Sequence, residues 1–295
     1  MLPNQIQVIT GENLSQKANL EFQEQILDYE ISSNLSYSDV LSVSKGLDII
    51  SEFYDVLGAA SVTPAGICAV SLGKTLEDAI TNIMDSDPID FMTSTIVLSN
   101  EVNSDIAKML KDTHIIVAPK FTKNAIEYLD THSITYVKVN TPLKDYKMYL
   151  PNKITNTSLG TLTETPNYNE LDKDSFKVVT KTKPTVEQIE DAVFAWKVAK
   201  HANSRAIVVA KDLKTNSISQ GLQLSAVEYA LDHACDRSKD AILASDMNIS
   251  IHDLNVAIQG RISLVILPEA SEDIIATADK YNLIVITTGY TNIKY

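Results

Sequence analysis

At 295 residues, 44% hydrophobic and 21% charged, the chain can hold one large domain or two ordinary ones around a substantial core. Its net charge of −13 is scattered rather than gathered in a tail, and no basic stripe is present, which argues against a nucleic-acid partner. No apolar run approaches about 18 residues, the N-terminus has no basic segment leading into an apolar core, and Cys68 and Cys235 are the only cysteines. A membrane span, a signal peptide and a disulfide framework are therefore not expected, and the expected location is the cytoplasm.

Taken in order, the pattern predicts a short strand over Ile6 to Thr10, a Gly11-Glu12-Asn13 turn, and a helical or mixed piece from Phe22 to Tyr29. A helix follows from Leu35, capped by Ser38 or Ser42, with Leu41, Leu47, Ile50 and Phe53 on its apolar face. Gly58 to Val62 reads as a buried strand stopped by the turn Thr63-Pro64-Ala65-Gly66. Thr75-x-x-Asp78 opens a helix to about Met84. Strands at 94–98, 115–117 and 134–139 then alternate with helices at 103–110 and 122–129. From Asn140 to Lys183 the composition shifts to Thr, Asn, Lys and Tyr, with Pro142, Pro151 and Pro166. A few strands, such as Lys177 to Thr180, and a crossover between two halves are expected there. Thr185-x-x-Gln188 is a capping box opening the helix that carries Phe194 and Trp196. It feeds the continuous apolar run Ala206 to Ala210, stopped by Lys211-Asp212, as in a covered sheet. Helices at 225–235, 252–258 and 272–281 alternate with strands at 241–244, 264–267 and 283–287.

The two halves echo each other. The stretch from Ile116 aligns with the stretch from Val265, placing Pro119 on Pro268 (268 − 119 = 149) and, at the same offset, Gly58 on Ile207. Two α/β/α layered units in one chain are expected, with a ligand in the crevice at strand C-termini. The expected boundaries are 1–140, a crossover over 141–184, and 185–295.

Few clusters announce chemistry. The five histidines show no metal-ligand spacing with the cysteines, so no metal is expected, and no glycine-rich phosphate loop is visible. Lys211-Asp212 and Ser245-Asp246 read as charged strand ends or as functional groups. His201 reads as a helix C-terminal cation, Trp196 as core, and Cys68 as a small buried side chain.

The order of segments resembles the transformylase domain of the AICAR transformylase/IMP cyclohydrolase family, over nearly the whole chain. Residues 9–16 resemble RYGENPHQ, Leu35 to Leu41 resemble LSYNNIL, and Thr63 to Gly66 resemble the end of KHTNPCG. Ala118-Pro119-Lys120-Phe121 resembles the family's AP-x-F/Y, and Ala244-Ser245-Asp246 resembles the start of ASDAFFPF. Phe194 to Asp212 resembles FAWKVVKHVKSNAIVVAKD and is the most specific match. The resemblance implies an α/β fold of two tandem cytidine-deaminase-like α/β/α units, a homodimer with sites at the subunit interface, and absence of the cyclohydrolase domain. It also implies formyl transfer from 10-formyltetrahydrofolate to the amine of AICAR, for which a Lys-His pair supplies proton handling and charge.

The departures fall on that chemistry. Ala60 and Ser61 stand where the family has Lys-His. Ile9, Thr10 and Ser15 replace Arg, Tyr and His of RYGENPHQ, Arg205 replaces the asparagine of KSNA, and 291–295 replace RHFRH. Loss of the arginines removes bidentate phosphate recognition. The expectation is a family member without efficient formyl transfer that binds a purine nucleotide or folate-like molecule. Candidate ligand-binding residues are Gly11, Glu12, Asn13, Ser61, Thr63, Gly66, Arg205, Lys211, Asp212, Asp246 and Asn248. Two other readings stand beside it. One is an active, divergent formyltransferase using 10-formyltetrahydrofolate and a site rebuilt from Arg205, Lys211, Asp212 and Asp246. The other is a ligand-free structural or regulatory dimer.

Overall fold

The repeat is present in the order of elements. A computed structural model describes residues 5–7, 16, 19–21, 27–171, 175–221 and 225–294. The expected Gly11-Glu12-Asn13 turn lies outside these residues, as do 8–10 and 22–26.

β1 (Gln5–Gln7) and β2 (Asn19–Glu21) form a separate antiparallel ribbon. The first half comprises β3 (Tyr29–Ile31), α1 (Tyr37–Ile50), β4 (Gly58–Thr63), β5 (Gly66–Leu72), α2 (Leu76–Ser86), α3 (Pro88–Phe91), β6 (Thr95–Leu98), α4 (Ser104–Met109), β7 (Ile115–Ala118), α5 (Lys123–Thr131) and β8 (Thr135–Val139). The crossover carries a 3-10 segment (Leu143–Tyr149) and a separate hairpin of β9 (Lys153–Thr157) and β10 (Gly160–Glu164). The second half comprises β11 (Lys177–Val178), α6 (Val186–His201), β12 (Ile207–Lys211), β13 (Lys214–Ser219), α7 (Ala226–Ala234), β14 (Ile242–Ser245), α8 (Ile251–Gln259), β15 (Leu264–Leu267), α9 (Glu272–Lys280) and β16 (Ile284–Thr287). α1 and α6 start 149 residues apart (186 − 37), as do β7 and β15 (264 − 115) and α5 and α9 (272 − 123).

The halves do not stack as separate sheets. They join edge to edge through antiparallel β5 and β13 (Ser71 opposite Lys214), giving one mixed twelve-stranded sheet. From the join the order is β5-β4-β6-β7-β8-β3 on one side and β13-β12-β14-β15-β16-β11 on the other, the same connectivity twice. β11, within the 141–184 segment, thus extends the second half just as β3 extends the first. α1 and α6 cover one face of the sheet; α2, α4, α5, α7, α8 and α9 cover the other, so the sheet is buried on both faces. That explains the unbroken apolar runs of β7 and β15 and the burial of β6 and β14 at every position. α1 crosses closest to the sheet at Gly46, where a Cβ would collide with Val97 of β6.

Local signals decide most boundaries. Thr75 and Asp78 close a capping box on α2, and Thr185 and Gln188 close one on α6. On α1 the cap is Ser36, not Ser38 or Ser42. Its Oγ accepts from Asp39 N (3.2 Å) while Asp39 Oδ2 accepts from Ser36 N (2.8 Å). Leu41 lies outside the buried face, at 36% exposure. β5 and β13 were not expected as strands. The sequence GICAVSL carries small residues and KTNSIS carries polar ones, yet both sit mid-sheet because the join requires them.

Candidate functional site

The antiparallel registers decide which candidate residues can meet. Along β4, β5, β13 and β12, the pairs Gly58↔Leu72, Ser71↔Lys214 and Lys214↔Lys211 mark one end of the sheet. Thr63↔Gly66, Ile207↔Ser219 and Ile207↔Ser245 mark the other. Thr63, Gly66, Arg205, Asp246 and Asn248 therefore share one end, while Lys211 and Asp212 lie at the opposite end of β12. Gly11, Glu12 and Asn13 lie outside the described residues.

At the shared end the two halves are stitched together by polar contacts. Asn203 Nδ2 donates to Ala65 O (2.6 Å), and Gln220 Nε2 donates to Ile67 O (2.8 Å). A Cβ at Gly66 would have to displace the Gln220 amide. Asp246 is 1% exposed; its carboxylate accepts from Ala206 N (2.9 Å) and from Ser204 Oγ. Burial raises its pKa against those bonds. Arg205 donates to Asn248 O (2.7 Å) and lies 3.9 Å from Asp253. At the other end, Asp212 and Leu213 both have positive φ (54° and 56°) in the two-residue hairpin turn, and Asp191 Oδ accepts from both backbone N–H groups (3.0 and 2.7 Å). Lys211 donates to Lys239 O (3.3 Å).

Ala60 and Ser61 are both 0% exposed in the middle of the sheet. Ala60 packs into the α1/α6 core, and Ser61 Oγ is sealed with no hydrogen-bond partner among the described residues. Cys68, Asp87 and Asp90 place their ligand atoms within 4.8 Å of one another, and burial, helped by Asp90, pushes the Cys68 thiol up to about 12.

A cluster of buried charge among the described residues lies elsewhere, on the α1/α6 face. Glu52, in the turn after α1, has a side chain only 5% exposed. Its Oε1 accepts from Lys200 Nζ (2.9 Å) and contacts His201 Nε2 (2.9 Å); its Oε2 accepts from Lys147 Nζ (3.3 Å); its backbone O accepts from Lys197 Nζ (2.9 Å). Lys200, 3% exposed, also donates to Asn169 O (2.6 Å). Burial alone would raise Glu52, but His201 and Lys200 outweigh it and hold the carboxyl well below its usual range. Burial lowers His201 and Lys200 in spite of Glu52. At neutral pH the hub is a carboxylate–ammonium pair with a neutral imidazole donating through Nε2. Glu52 and His201 are 149 residues apart, the repeat offset, so the contact spans the pseudo-twofold relating the halves.

This hub floors a cavity of about 380 Å³. Its walls come from Asp48 on α1, from 146–153 and 164–167 of the crossover, and from 292–294. Tyr146 donates to Asp48 (2.7 Å), and Lys294 lies 3.8 Å from the same carboxylate. Asn292, 2% exposed, uses Oδ1 to accept from Asn167 (2.9 Å), but its Nδ2 has no partner among the described residues. Beside it, past Ser44, Tyr146 and Pro151, lies an apolar cavity of about 220 Å³ between α1, β3 and β8. None of the sequence-predicted candidates among the described residues lines either cavity. One signal for Glu52 existed: a carboxylate three residues after Ile49, at a position that continues the apolar stripe of α1.

Comparison with known proteins fits this architecture. A model of the family described as AICARFT/IMPCHase bienzyme matches residues 3–236. The bifunctional purine biosynthesis protein PurH of Anoxybacillus flavithermus is 30% identical over 270 residues, covering 88% of this chain and 52% of that protein. The PurH of Caldicellulosiruptor saccharolyticus is 30% identical over 290 residues (95% and 55%), and that of Bacillus cereus is 28% identical over 307 residues (97% and 58%). The chain spans about half the length of the curated relatives it matches. With most of its length under the family match, this α/β chain belongs to the AICARFT/IMPCHase bienzyme family.

Proposed function

We propose that this chain is a transformylase-type member of its family that no longer formylates AICAR efficiently and retains a polar cavity for a small anionic ligand of nucleotide or folate type. The observation that carries the first part is the state of positions 60 and 61. A weakly nucleophilic aromatic amine needs a group that moves a proton near neutral pH and a cation for the developing oxyanion. Alanine supplies neither, and the Ser61 hydroxyl does not titrate in that range. Both are buried at 0% exposure. Loss of general acid–base catalysis alone costs about 10²–10⁴ in rate.

The cavity above Glu52 supports the second part. Glu52 is already saturated by Lys200, Lys147 and His201, so the donors a ligand would draw on among the described residues are Lys294, 3.8 Å from Asp48, and Asn292 Nδ2, which has no partner among them. Acceptor-rich groups such as phosphate or carboxylate match them. A divergent active enzyme would need Arg205, Lys211, Asp212 and Asp246 to converge; the sheet register sets the middle two at the far end of β12. A cytoplasmic setting accompanies this reading.

Thermal shift of the full chain with AICAR, IMP, folate and 10-formyltetrahydrofolate, at saturating concentration, tests the binding half. One of them raises Tm, and Asn292→Leu or Lys294→Met abolishes the rise. No shift with any of the four favours a ligand-free structural role. Turnover of AICAR that depends on Arg205 or Asp246 would establish the active alternative.

A further inference from the structure

The polar cavity above Glu52 and the apolar cavity beside it share a wall. Ser44, Tyr146 and Pro151 line both, so the two adjoin across these three side chains. Their chemistries are opposite. Val43 and Leu47 of α1, Ile31 of β3, and Val137 and Val139 of β8 line the apolar one, and among the described residues no charged side chain does. Packed interiors hold few voids larger than a water molecule. A dry apolar cavity of about 150 Å³ takes up benzene, so one of about 220 Å³ has room for a ring or a short acyl chain.

The polar cavity is built for the other end of such a molecule. Four lysines line it (Lys147, Lys153, Lys200 and Lys294) against three carboxylates (Asp48, Glu52 and Glu164), a positive excess in a chain of net −13. Asn292, 2% exposed, holds an Nδ2 with no partner among the described residues. Lys45 of α1, next to Ser44, has its pKa lowered by burial and by the ammonium of Lys294, against the pull of Asp48. Two cations that disfavour each other, beside an unsatisfied amide N–H, gain from an anion. We propose that the two cavities form one binding site for an amphipathic anion, whose carboxylate or phosphate lies at Asn292 and Lys294 and whose ring or acyl chain passes Tyr146 into the space between α1, β3 and β8. This rests on the anion cavity proposed above. Of the anions that reading allows, it selects those carrying an apolar group.

Titration calorimetry of the full chain with butyrate, hexanoate and octanoate tests it, with octanol, octyl phosphate and inorganic phosphate as further arms. Each buried methylene is worth about fourfold, so Kd should tighten about fifteenfold for every two carbons added. Octanol, which lacks the head, should bind at least about tenfold more weakly than octanoate. Tighter binding of octanoate or of octyl phosphate supports the proposal either way and identifies the head. Val40→Trp, which fills the apolar cavity from α1, should flatten the chain-length series. Asn292→Leu should weaken octanoate and leave octanol unchanged. Octanoate no tighter than butyrate, while IMP or folate still binds through Lys294, overturns this proposal and leaves the anion cavity standing. A chain-length series that survives both variants places the chain on other apolar surface and also overturns it. Binding of no anion at all overturns both readings.

Discussion

Replacing Glu52 by glutamine keeps the shape of the side chain and removes its charge, leaving Lys200 as a cation at 3% side-chain exposure with no carboxylate. Removing one partner of a buried ion pair costs about 3–5 kcal/mol, because the survivor is neither solvated nor compensated. For a chain of this size, about 2 °C of Tm accompanies each kcal/mol, so Glu52→Gln is expected to melt about 6–10 °C below the parent. Lys197, which bonds the backbone O of residue 52, and Lys147, which also bonds Glu170 (2.8 Å), keep a partner. Lys200, the most buried of the three, keeps only the neutral Asn169 O (2.6 Å) and loses its carboxylate, so the loss should track Lys200. Adding Lys200→Met to Glu52→Gln should return much of it, since an apolar pair of similar volume replaces the stranded ammonium. Calorimetry of the three variants at pH 7 makes the check. A Tm within about 2 °C of the parent for the single variant would refute the hub as a buried, charged structure.

Other consequences are equally direct. Because burial holds His201 below the ordinary imidazole value of about 6.5, the unfolded chain binds the extra proton first. The His201 contribution is present above that value and is lost as pH falls through it. Tm should thus climb between pH 5 and about 7 more steeply in the parent than in His201→Gln, and equal slopes would count against it. Glu52, held low, contributes its own loss only as pH falls below the ordinary carboxyl value of about 4.3. Cys68, pushed up to about 12, should resist alkylation at pH 8 while the exposed Cys235 reacts. Fast labelling that persists in Cys235→Ser would contradict that burial. Asp246→Ala strands the Ala206 N–H and the Ser204 hydroxyl proton in a 1% exposed site and should cost about 1–3 kcal/mol, measured by denaturant midpoint.

How much of this was legible depended on whether the signal was local. Capping boxes at Thr75 and Thr185 and the apolar runs of β7 and β15 are local, and they appear where the residues predict them. The 149-residue offset was also readable, because the strand–helix–strand units around Pro119 and Pro268 keep their spacing. β5 and β13 were missed because their burial comes from the other half of the chain and not from their own hydrophobicity. The same limit governs the site. Lys211 and Asp246 look alike as charged strand ends, yet antiparallel pairing of β12 with β14 sends them to opposite ends of the sheet. Glu52, Lys147, Lys200 and Asn292 come from segments up to 240 residues apart (292 − 52), and only the folded chain brings them together around one cavity.

The account rests on the absence of a proton-moving pair at positions 60 and 61, and steady-state formyl transfer measures it most directly. With AICAR and 10-formyltetrahydrofolate at saturation, the purified chain should show a rate at least about 10²-fold below that of a bifunctional PurH assayed alongside it. A rate equal to that of the PurH control would contradict the account.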